Sequence, residues 1–223
     1  VPTFQNPAGR TLPLERRRQI ADLIRHYDVL LLEDDPYSDL RYSGEPLPPI
    51  QQFAPDNVIY NSTVSKVLAP GLRIGFCTAP ADLTRWLVIA KQGIDLHTQV
   101  LGQAIAAAYL TGGHLAEQLP RIIDLYRPRR DAMLAALDSY LPPGYEWNAP
   151  DGGMFLWVTA LEDVDTEALY WRCVAQNVAF VPGQFFFTEP GAGTNTLRLN
   201  FTMVDEMTIT TAVQTLGRVA GKG

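Results

Sequence analysis

The sequence predicts an α/β fold, in which helices cover a mostly parallel sheet, from three observations. Short apolar runs that end in polar residues, at 28–35 ("DVLLLEDD") and 57–65 ("NVIYNSTVS"), are typical of strands buried on both faces of a parallel sheet. Between residues 12 and 27, apolar residues recur at the spacing of one face of a helix. Strand and helix patterns also alternate along the chain, which is the order found in α/β domains.

The next elements continue this pattern and then become helical. The opening residues "VPTFQ" are interpreted as the end of a strand, and "RIGFCTAP" at 73–80 as a further strand. Three helices are predicted, at 81–94, 99–113 and 114–141. We expect Pro120 and Pro128 to end or kink the last of these helices locally, because proline lacks the backbone N–H that a helix needs.

From residue 113 onward the pattern indicates a second, smaller domain. After a loop at 142–153, strands are predicted at 154–160, 178–183 and 196–201, with helices at 165–177 and 205–221. The sequence therefore predicts two domains. Residues 1–112 would form part of a large α/β domain, and residues 113–223 a small α+β domain that begins with an interdomain helix.

Composition and charge exclude several classes of function. The chain has 223 residues and a net charge of −6, whereas a surface that binds nucleic acid without sequence preference is basic. Its two cysteines and three histidines are isolated and lack the spacing of metal ligands, so no metal site is predicted. No apolar run reaches the roughly 18 residues that a membrane span needs. We therefore expect a cytoplasmic protein in which this region binds neither nucleic acid nor membrane.

Polar side chains follow the predicted strands, where ligands bind in open α/β sheets. In chain order they are Asn6, Asp34, Asp35, Pro36, Tyr37, Thr63, Ser65, Lys66 and Arg73. A lysine can form an imine, hydroxyls and a guanidinium suit a phosphate monoester, and a carboxylate can pair with a protonated ring nitrogen. A ligand that matches all of these side chains has an aldehyde, a phosphate and a ring nitrogen, and pyridoxal 5′-phosphate has all three. Each residue alone is also compatible with an ordinary turn or a solvated side chain, so the prediction depends on their joint order.

Six segments carry a resemblance to a known family. They are "NPAG", "EDDPYSDLRY", "STVSKVLAPGLRIGF", "PDGGMFLWV", "VPG" and "LRLNF". With these motifs the chain resembles the fold-type I pyridoxal-phosphate aminotransferases of class I/II. Within that group it is similar to the branch that contains 2-aminoadipate and kynurenine aminotransferases and the fused MocR-type regulators. The resemblance extends from the first residue to the last and implies the sheet of a pyridoxal-phosphate transferase for the large domain.

The resemblance also implies roles in catalysis and substrate binding. Lys66 would hold the cofactor as a Schiff base and move the proton at the substrate Cα, while Asp34 would keep the ring nitrogen protonated. Tyr37 and Asn6 would hydrogen-bond the ring oxygen. Arg198, together with Asn6, would bind the substrate, with the guanidinium clamping the α-carboxylate in a bidentate pair.

The remaining matches concern the cofactor's phosphate and ring. Thr63, Ser65 and Arg73 would hold the phosphate, and Pro36 would pack near the ring. The family often has serine at the position of Thr63, and threonine keeps the hydroxyl.

The expected activity is transamination, in which an amino group passes from an amino acid to a 2-oxo acid. Three alternatives stay open: the effector-sensing domain of a MocR/GntR-type transcriptional regulator, a lyase or synthase on the same fold, and a homologue without cofactor. The resemblance further implies that this chain is the C-terminal part of a longer protein, active as a homodimer only when complete. The sequence does not predict which amino acid is the substrate.

Overall fold

The computed structural model describes residues 1–221, which divide into two compact units. The first unit contains residues 1–3 and 11–122, and the second contains residues 4–10 and those from Ile123 onward. Helices and strands occur in both, and the α/β class is confirmed. The division into two domains with a boundary between residues 112 and 113 stays a prediction.

The first unit contains a three-stranded sheet and its helices. Its elements are α1 (Leu14–His26), β1 (Leu31–Asp34), β2 (Val58–Thr63), β3 (Gly75–Thr78), α2 (Ala81–Asp95) and α3 (Val100–Thr111). The strand order is β1-β2-β3, in which β1 and β2 are parallel and β3 is antiparallel to β2. These helices and strands lie where the apolar patterns predicted them.

The opening residues form a bend and a turn, so the strand predicted there is wrong. Residues 1–10, all of which the structure describes, contain no strand. The carbonyl of Pro2 instead accepts hydrogen bonds from the N–H of Leu12 (2.7 Å) and from the guanidinium of Arg17 (3.1 Å). Arg17 is fully buried and also donates to the hydroxyl of Thr3 at 2.7 Å. The start of the chain is therefore held by α1 and by the residues just before it.

One side of the first unit is apolar and exposed in the described chain. α2 contains no buried residue, and all four residues of β3 are exposed. The large apolar side chains that the first unit exposes include Leu32, Phe76, Trp86, Ile94 and Leu101. Exposed apolar patches often mark contacts with another polypeptide segment.

The second unit contains a four-stranded antiparallel sheet with helices. The elements from residue 114 onward are α4 (His114–Tyr140), which contributes to both units, β4 (Glu146–Trp147), β5 (Phe155–Thr159), α5 (Thr166–Val174), β6 (Val181–Pro182), β7 (Thr196–Asn200) and α6 (Glu206–Ala220). The strand order is β4-β5-β7-β6, and neighbouring strands are antiparallel. Asp165 and Asp205 cap α5 and α6, each accepting hydrogen bonds from backbone N–H groups of the first turn.

Two features of this part differ from the sequence prediction. α4 is one helix, so neither Pro120 nor Pro128 ends it; a proline removes one backbone hydrogen bond while the turns on either side keep theirs. β4 lies in a segment predicted to be loop, because a strand of two residues has no periodicity to detect. Within residues 1–221, none of the helices combines the length and apolar character needed to cross a bilayer.

Candidate active site

The parallel pairing of β1 and β2 brings two groups of predicted residues to one edge of the first sheet. Asp34, the last residue of β1, pairs in register with Asn61 of β2, and β2 ends two residues later at Thr63. The carboxyl ends of parallel strands meet at the same edge of a sheet. The carboxylate at the end of β1 and the lysine-containing turn after β2 therefore occupy that edge.

Of the three neighbouring carboxylates at the end of β1, Asp34 is the exposed one. Glu33 and Asp35 are 2% and 5% exposed, because successive side chains of a strand point to opposite faces. Glu33 accepts hydrogen bonds from the N–H groups of Ile50 and Gln51, both at 2.8 Å, and burial raises the pKa of its carboxyl group. Asp34 is thus the carboxylate that a ligand can reach, as the sequence reasoning required.

Asp35 has a structural role. Its carboxylate accepts a hydrogen bond from the hydroxyl of Tyr60 (3.1 Å), and its backbone carbonyl accepts one from the hydroxyl of Ser62 (2.8 Å). Burial, followed by the charge and hydrogen bond of Asp35, raises the pKa of Tyr60. These contacts hold the backbone between Asp34 and the residues that follow it. Sequence reasoning did not identify the Asp35–Tyr60 hydrogen bond. The two-residue period of side chains along β1, which places Asp35 on the opposite face from Asp34, could have indicated a buried role for Asp35.

Lys66 lies on a short 3₁₀ turn, Val64–Lys66, directly after β2. Val64 and Val67 are buried, whereas Ser65 and Lys66 between them are half-buried. Val64 packs in a cluster with Ile74 of the following segment and with α3. The buried valines on either side hold the turn against the unit, so that the lysine lies at its surface.

Thr63 and Ser65 form a connected pair of hydroxyls at the start of this turn. The oxygen of the Thr63 hydroxyl accepts a hydrogen bond from the N–H of Ser65 (3.1 Å) and lies 2.9 Å from the Ser65 hydroxyl. It also lies 2.7 Å from the carbonyl oxygen of Ile74, to which it donates. Thr63 therefore fixes the conformation of the turn, and Ser65 stands beside it.

Arg73, Tyr37 and Pro36 complete the predicted residues of the first unit. Arg73 is exposed and ends a second 3₁₀ turn, Pro70–Leu72, in the left-handed conformation with φ of 54°. Tyr37 is buried and Pro36 is half-buried in the turn after β1. Among residues 1–221, the structure gives no contact that joins Arg73 to the hydroxyl pair, so the three-residue phosphate site stays a prediction.

In the second unit, Asn6 and Arg198 are in direct contact. The guanidinium of Arg198 donates to the side-chain oxygen of Asn6 at 2.7 Å. Its central carbon lies 4.2 Å from the ring centre of Phe155 and 5.0 Å from that of Phe186, which are cation–π distances. The half-buried Arg198 is therefore held in one orientation, unlike a mobile arginine on the surface of a strand.

The side chains at the sheet edge of the first unit fit pyridoxal 5′-phosphate in their chemistry. They provide an amine, an exposed carboxylate, adjacent hydroxyls and an exposed guanidinium. The orientation of Asp34 is the most discriminating of these observations. Its carboxylate points away from the buried face that Glu33 and Asp35 share.

Comparisons with known proteins agree with the motifs and the geometry. Residues 1–216 match the family model described as aminotransferase class I and II. The chain is 48% identical over 217 residues to aromatic-amino-acid aminotransferase 1 of Thermococcus litoralis. The aligned region covers 97% of this chain and 52% of that protein.

Two solved structures extend the agreement to three dimensions. A multiple substrate aminotransferase from Thermococcus profundus is 51% identical, with a TM-score of 0.94, over 100% of this chain and 55% of that one. The α-aminoadipate aminotransferase LysN from Thermus thermophilus, complexed with N-(5′-phosphopyridoxyl)-L-leucine, is 38% identical with a TM-score of 0.94, over 100% and 58% of the two chains. The chain thus spans about half the length of these relatives. It belongs to the class I and II aminotransferases, a family whose cofactor is pyridoxal 5′-phosphate.

Proposed function

We propose that the complete protein is an aminotransferase that moves an amino group from an amino acid to a 2-oxo acid, with pyridoxal 5′-phosphate attached to Lys66 through a Schiff base. The observation that carries this proposal is the position of Lys66. It lies on a rigid turn beyond β2, at the same sheet edge as the exposed carboxylate of Asp34. Membership of the aminotransferase family supports the reaction type.

In this proposal the residues of the first unit bind the cofactor and move one proton. When bound, the cofactor supplies an electron-accepting ring that stabilises negative charge at the substrate Cα. The amine of Lys66, once released from the cofactor by the incoming amino acid, would take the proton from the substrate Cα and pass it to the cofactor carbon to which Lys66 had been joined. Asp34 holds a proton on the ring nitrogen, and Tyr37 donates a hydrogen bond to the ring oxygen.

The other cofactor contacts are proposed from the same motifs. Ser65, Thr63 and Arg73 hold the phosphate, in which the guanidinium supplies charge and the hydroxyls supply neutral donors. Because the Thr63 hydroxyl donates to a backbone carbonyl, Ser65 and Arg73 carry most of this binding and Thr63 sets the position of Ser65. Pro36 packs near the ring.

In the second unit, Arg198 pairs with the α-carboxylate of the amino acid, and Asn6 orients the guanidinium besides donating from its amide to the ring oxygen. The hydrogen bond between them supports this assignment, because the side-chain oxygen of Asn6 is the acceptor and leaves the amide N–H₂ for a second partner. An arginine held by an amide and two aromatic rings loses little side-chain entropy when a carboxylate binds.

The proposal is tested with the complete protein loaded with pyridoxal 5′-phosphate and a panel of amino donors. The names of the relatives direct the choice of donors to aromatic amino acids and 2-aminoadipate. We expect visible absorbance of the bound cofactor, its loss on addition of a donor, and one equivalent of 2-oxo acid per cofactor. Absorbance that no donor changes would contradict the activity while leaving cofactor binding intact.

The alternative of an effector-sensing regulator domain is less well supported. Relatives at 48% and 51% identity carry aminotransferase names. The same donor panel distinguishes an enzyme from a sensor. With an acceptor 2-oxo acid present, an aminotransferase would turn over many times, whereas a sensor would bind the amino acid without repeated turnover.

We further propose that the complete protein is a cytoplasmic homodimer. The free thiols of Cys77 and Cys173 suit a reducing compartment. The exposed apolar side of the first unit supports a further polypeptide contact, from the rest of the chain or from a second copy. Analytical ultracentrifugation tests the dimer: a sedimenting mass of twice the polypeptide is expected, and a monomer at micromolar concentration would contradict it.

A further inference from the structure

We propose that Asn148 is a positioning residue that sets Asn6 against Arg198. This inference rests on the proposed function, in which Arg198 receives the substrate carboxylate. Neither the motifs nor the family roles involve Asn148, which lies in the segment between β4 and β5 that the sequence predicted to be loop. Its importance follows from the contacts of its side-chain amide.

The amide of Asn148 joins two segments that are far apart in the sequence. Its nitrogen donates to the carbonyl of Ala8 at 2.8 Å, and its oxygen accepts from the N–H of Trp157 at 2.8 Å. Ala8 lies in the turn that carries Asn6, and Trp157 lies in the middle of β5. One amide therefore ties the turn to the sheet of the second unit.

These contacts close a ring around the Asn6–Arg198 pair. Trp157 is the register partner of Arg198 in the β5–β7 ladder. The ring runs from Asn6 through Ala8, Asn148, Trp157 and Arg198, and returns to Asn6 through the 2.7 Å hydrogen bond. Within the ring, the Asn148 side chain links the turn to β5 by hydrogen bonds, so it helps to set how closely Asn6 approaches the guanidinium.

The packing around Asn148 leaves the turn little freedom to move while the amide is present. Gly9 has φ of +63°, and a Cβ built on it would lie 2.8 Å from the amide nitrogen of Asn148 and 2.9 Å from the carbonyl oxygen of Phe155. The turn thus lies directly against the amide and β5. Removing the amide leaves a gap there, together with a carbonyl and an N–H that have lost this partner.

The expected consequence is a weaker carboxylate site. Without the Ala8 bond, the turn loses its hydrogen bond to Asn148, and Asn6 holds the guanidinium less firmly in one orientation. A displacement of about 1 Å at a reacting group can cost about a hundredfold in rate. Asn148 acts through Asn6 and does not touch the substrate, so the smaller shift that its loss causes is expected to weaken binding about tenfold. The loss should fall mainly on binding of the carboxylate, because Arg198, whose orientation Asn6 holds, is the residue proposed to pair with it.

The test compares Asn148→Ala and Asn148→Asp with the wild type in the complete, cofactor-loaded protein. The probes are L-phenylalanine as amino donor and 3-phenylpropionate as a carboxylate without an amino group. We expect Asn148→Ala to raise the KM and the dissociation constant of 3-phenylpropionate about tenfold, with a much smaller change in kcat and with the cofactor still attached to Lys66. Asn148→Asp keeps the acceptor for Trp157 but replaces the donor to Ala8 with an oxygen that the Ala8 carbonyl repels, so it should weaken binding of both probes at least as much as Asn148→Ala.

Asn195→Ala is the matched control. The amide of Asn195 also donates to a backbone carbonyl of the same sheet, that of Ala160 at 3.0 Å, but at the end of the β5–β7 ladder away from Arg198. It should lower stability to a similar extent and leave both binding constants unchanged.

The outcomes separate this inference from the proposed function. Wild-type binding constants in Asn148→Asp, or a loss in Asn195→Ala as large as in Asn148→Ala, would overturn the positioning role. A wild-type protein without the absorbance of bound cofactor, or without turnover of any donor, would instead overturn the proposed function.

Discussion

Replacing Val64 with alanine tests whether core packing determines how Lys66 is presented. Val64 is 1% exposed and begins the 3₁₀ turn that ends at Lys66. It packs against Ile74 and Ala106, with Leu68 and Leu72 at the margin of the cluster. The substitution removes two buried methyl groups without touching any polar residue proposed to bind the cofactor.

The expected loss of stability follows from the atoms removed. Two buried methyl groups contribute about 1.6 kcal/mol of transfer free energy, at about 0.8 kcal/mol each. The cavity that they leave adds to this, which gives a total of about 2–3 kcal/mol. The turn would also relax toward the cavity, and a shift of Lys66 by up to about 1 Å would slow attachment of the cofactor by ten- to a hundredfold.

Val58→Ala provides a matched control on the same strand. Val58 is the first residue of β2, is 0% exposed and packs in a different cluster, with Ala21, Ile24 and Ile50. Because the same two methyl groups are removed from an equally buried site, its stability loss should also be about 2–3 kcal/mol. Lys66 lies at the far end of the strand from Val58, so its attachment rate should remain that of the wild type.

Two measurements on the complete protein decide the question. Urea denaturation gives the change in the free energy of unfolding, and stopped-flow absorbance after addition of pyridoxal 5′-phosphate gives the attachment rate. The reasoning is refuted if both variants attach the cofactor at the same rate, whether that rate is normal or slow. Equal stability losses with a slow rate in Val64→Ala alone would confirm it.

Three further predictions concern other parts of the chain. Lys66→Ala should abolish turnover and leave the circular dichroism spectrum unchanged, while Asp34→Ala should retain more activity because the covalent step survives. Steady-state assays rank the two variants, and a larger loss of activity in Asp34→Ala would contradict the assigned roles. Gly9→Ala should destabilise the fold by more than the ~1–2 kcal/mol of left-handed strain, since its Cβ would also lie 2.9 Å from a carbonyl oxygen; a wild-type urea midpoint would refute the close approach. Burial raises the pKa of the Cys173 thiol, so alkylation of Cys173 should require unfolding even at mildly alkaline pH, and rapid labelling of the native protein would show that the site is open.

Periodic and motif-rich parts of the chain were predictable from sequence. The apolar spacing at 12–27 identified α1, which spans Leu14–His26, and the run at 57–65 identified β2, which spans Val58–Thr63. Both signals are local, since one face of a helix or a short buried strand leaves its pattern in neighbouring residues. The order of polar residues at strand ends was equally visible, and it predicted that Asp34 and the Lys66 turn meet at one sheet edge.

Contacts between distant segments were not predictable in this way. The hydrogen bond from Asn148 to Ala8 joins residues 140 positions apart, and β4 contains only two residues. The opening strand was wrong for a related reason: the carbonyl of Pro2 accepts hydrogen bonds from Leu12 and Arg17 instead of from a neighbouring strand. The exposure of β3 and α2 likewise has no signature in single residues, because burial depends on which segments pack against them.

The central claim is that Lys66 carries the cofactor, and reduction with borohydride tests it most directly. The complete protein is reduced in the presence of pyridoxal 5′-phosphate, digested and analysed by mass spectrometry. The account predicts a phosphopyridoxyl group on the peptide that contains Lys66 and on no other lysine. An unmodified Lys66, or a label on Lys91 instead, would contradict it.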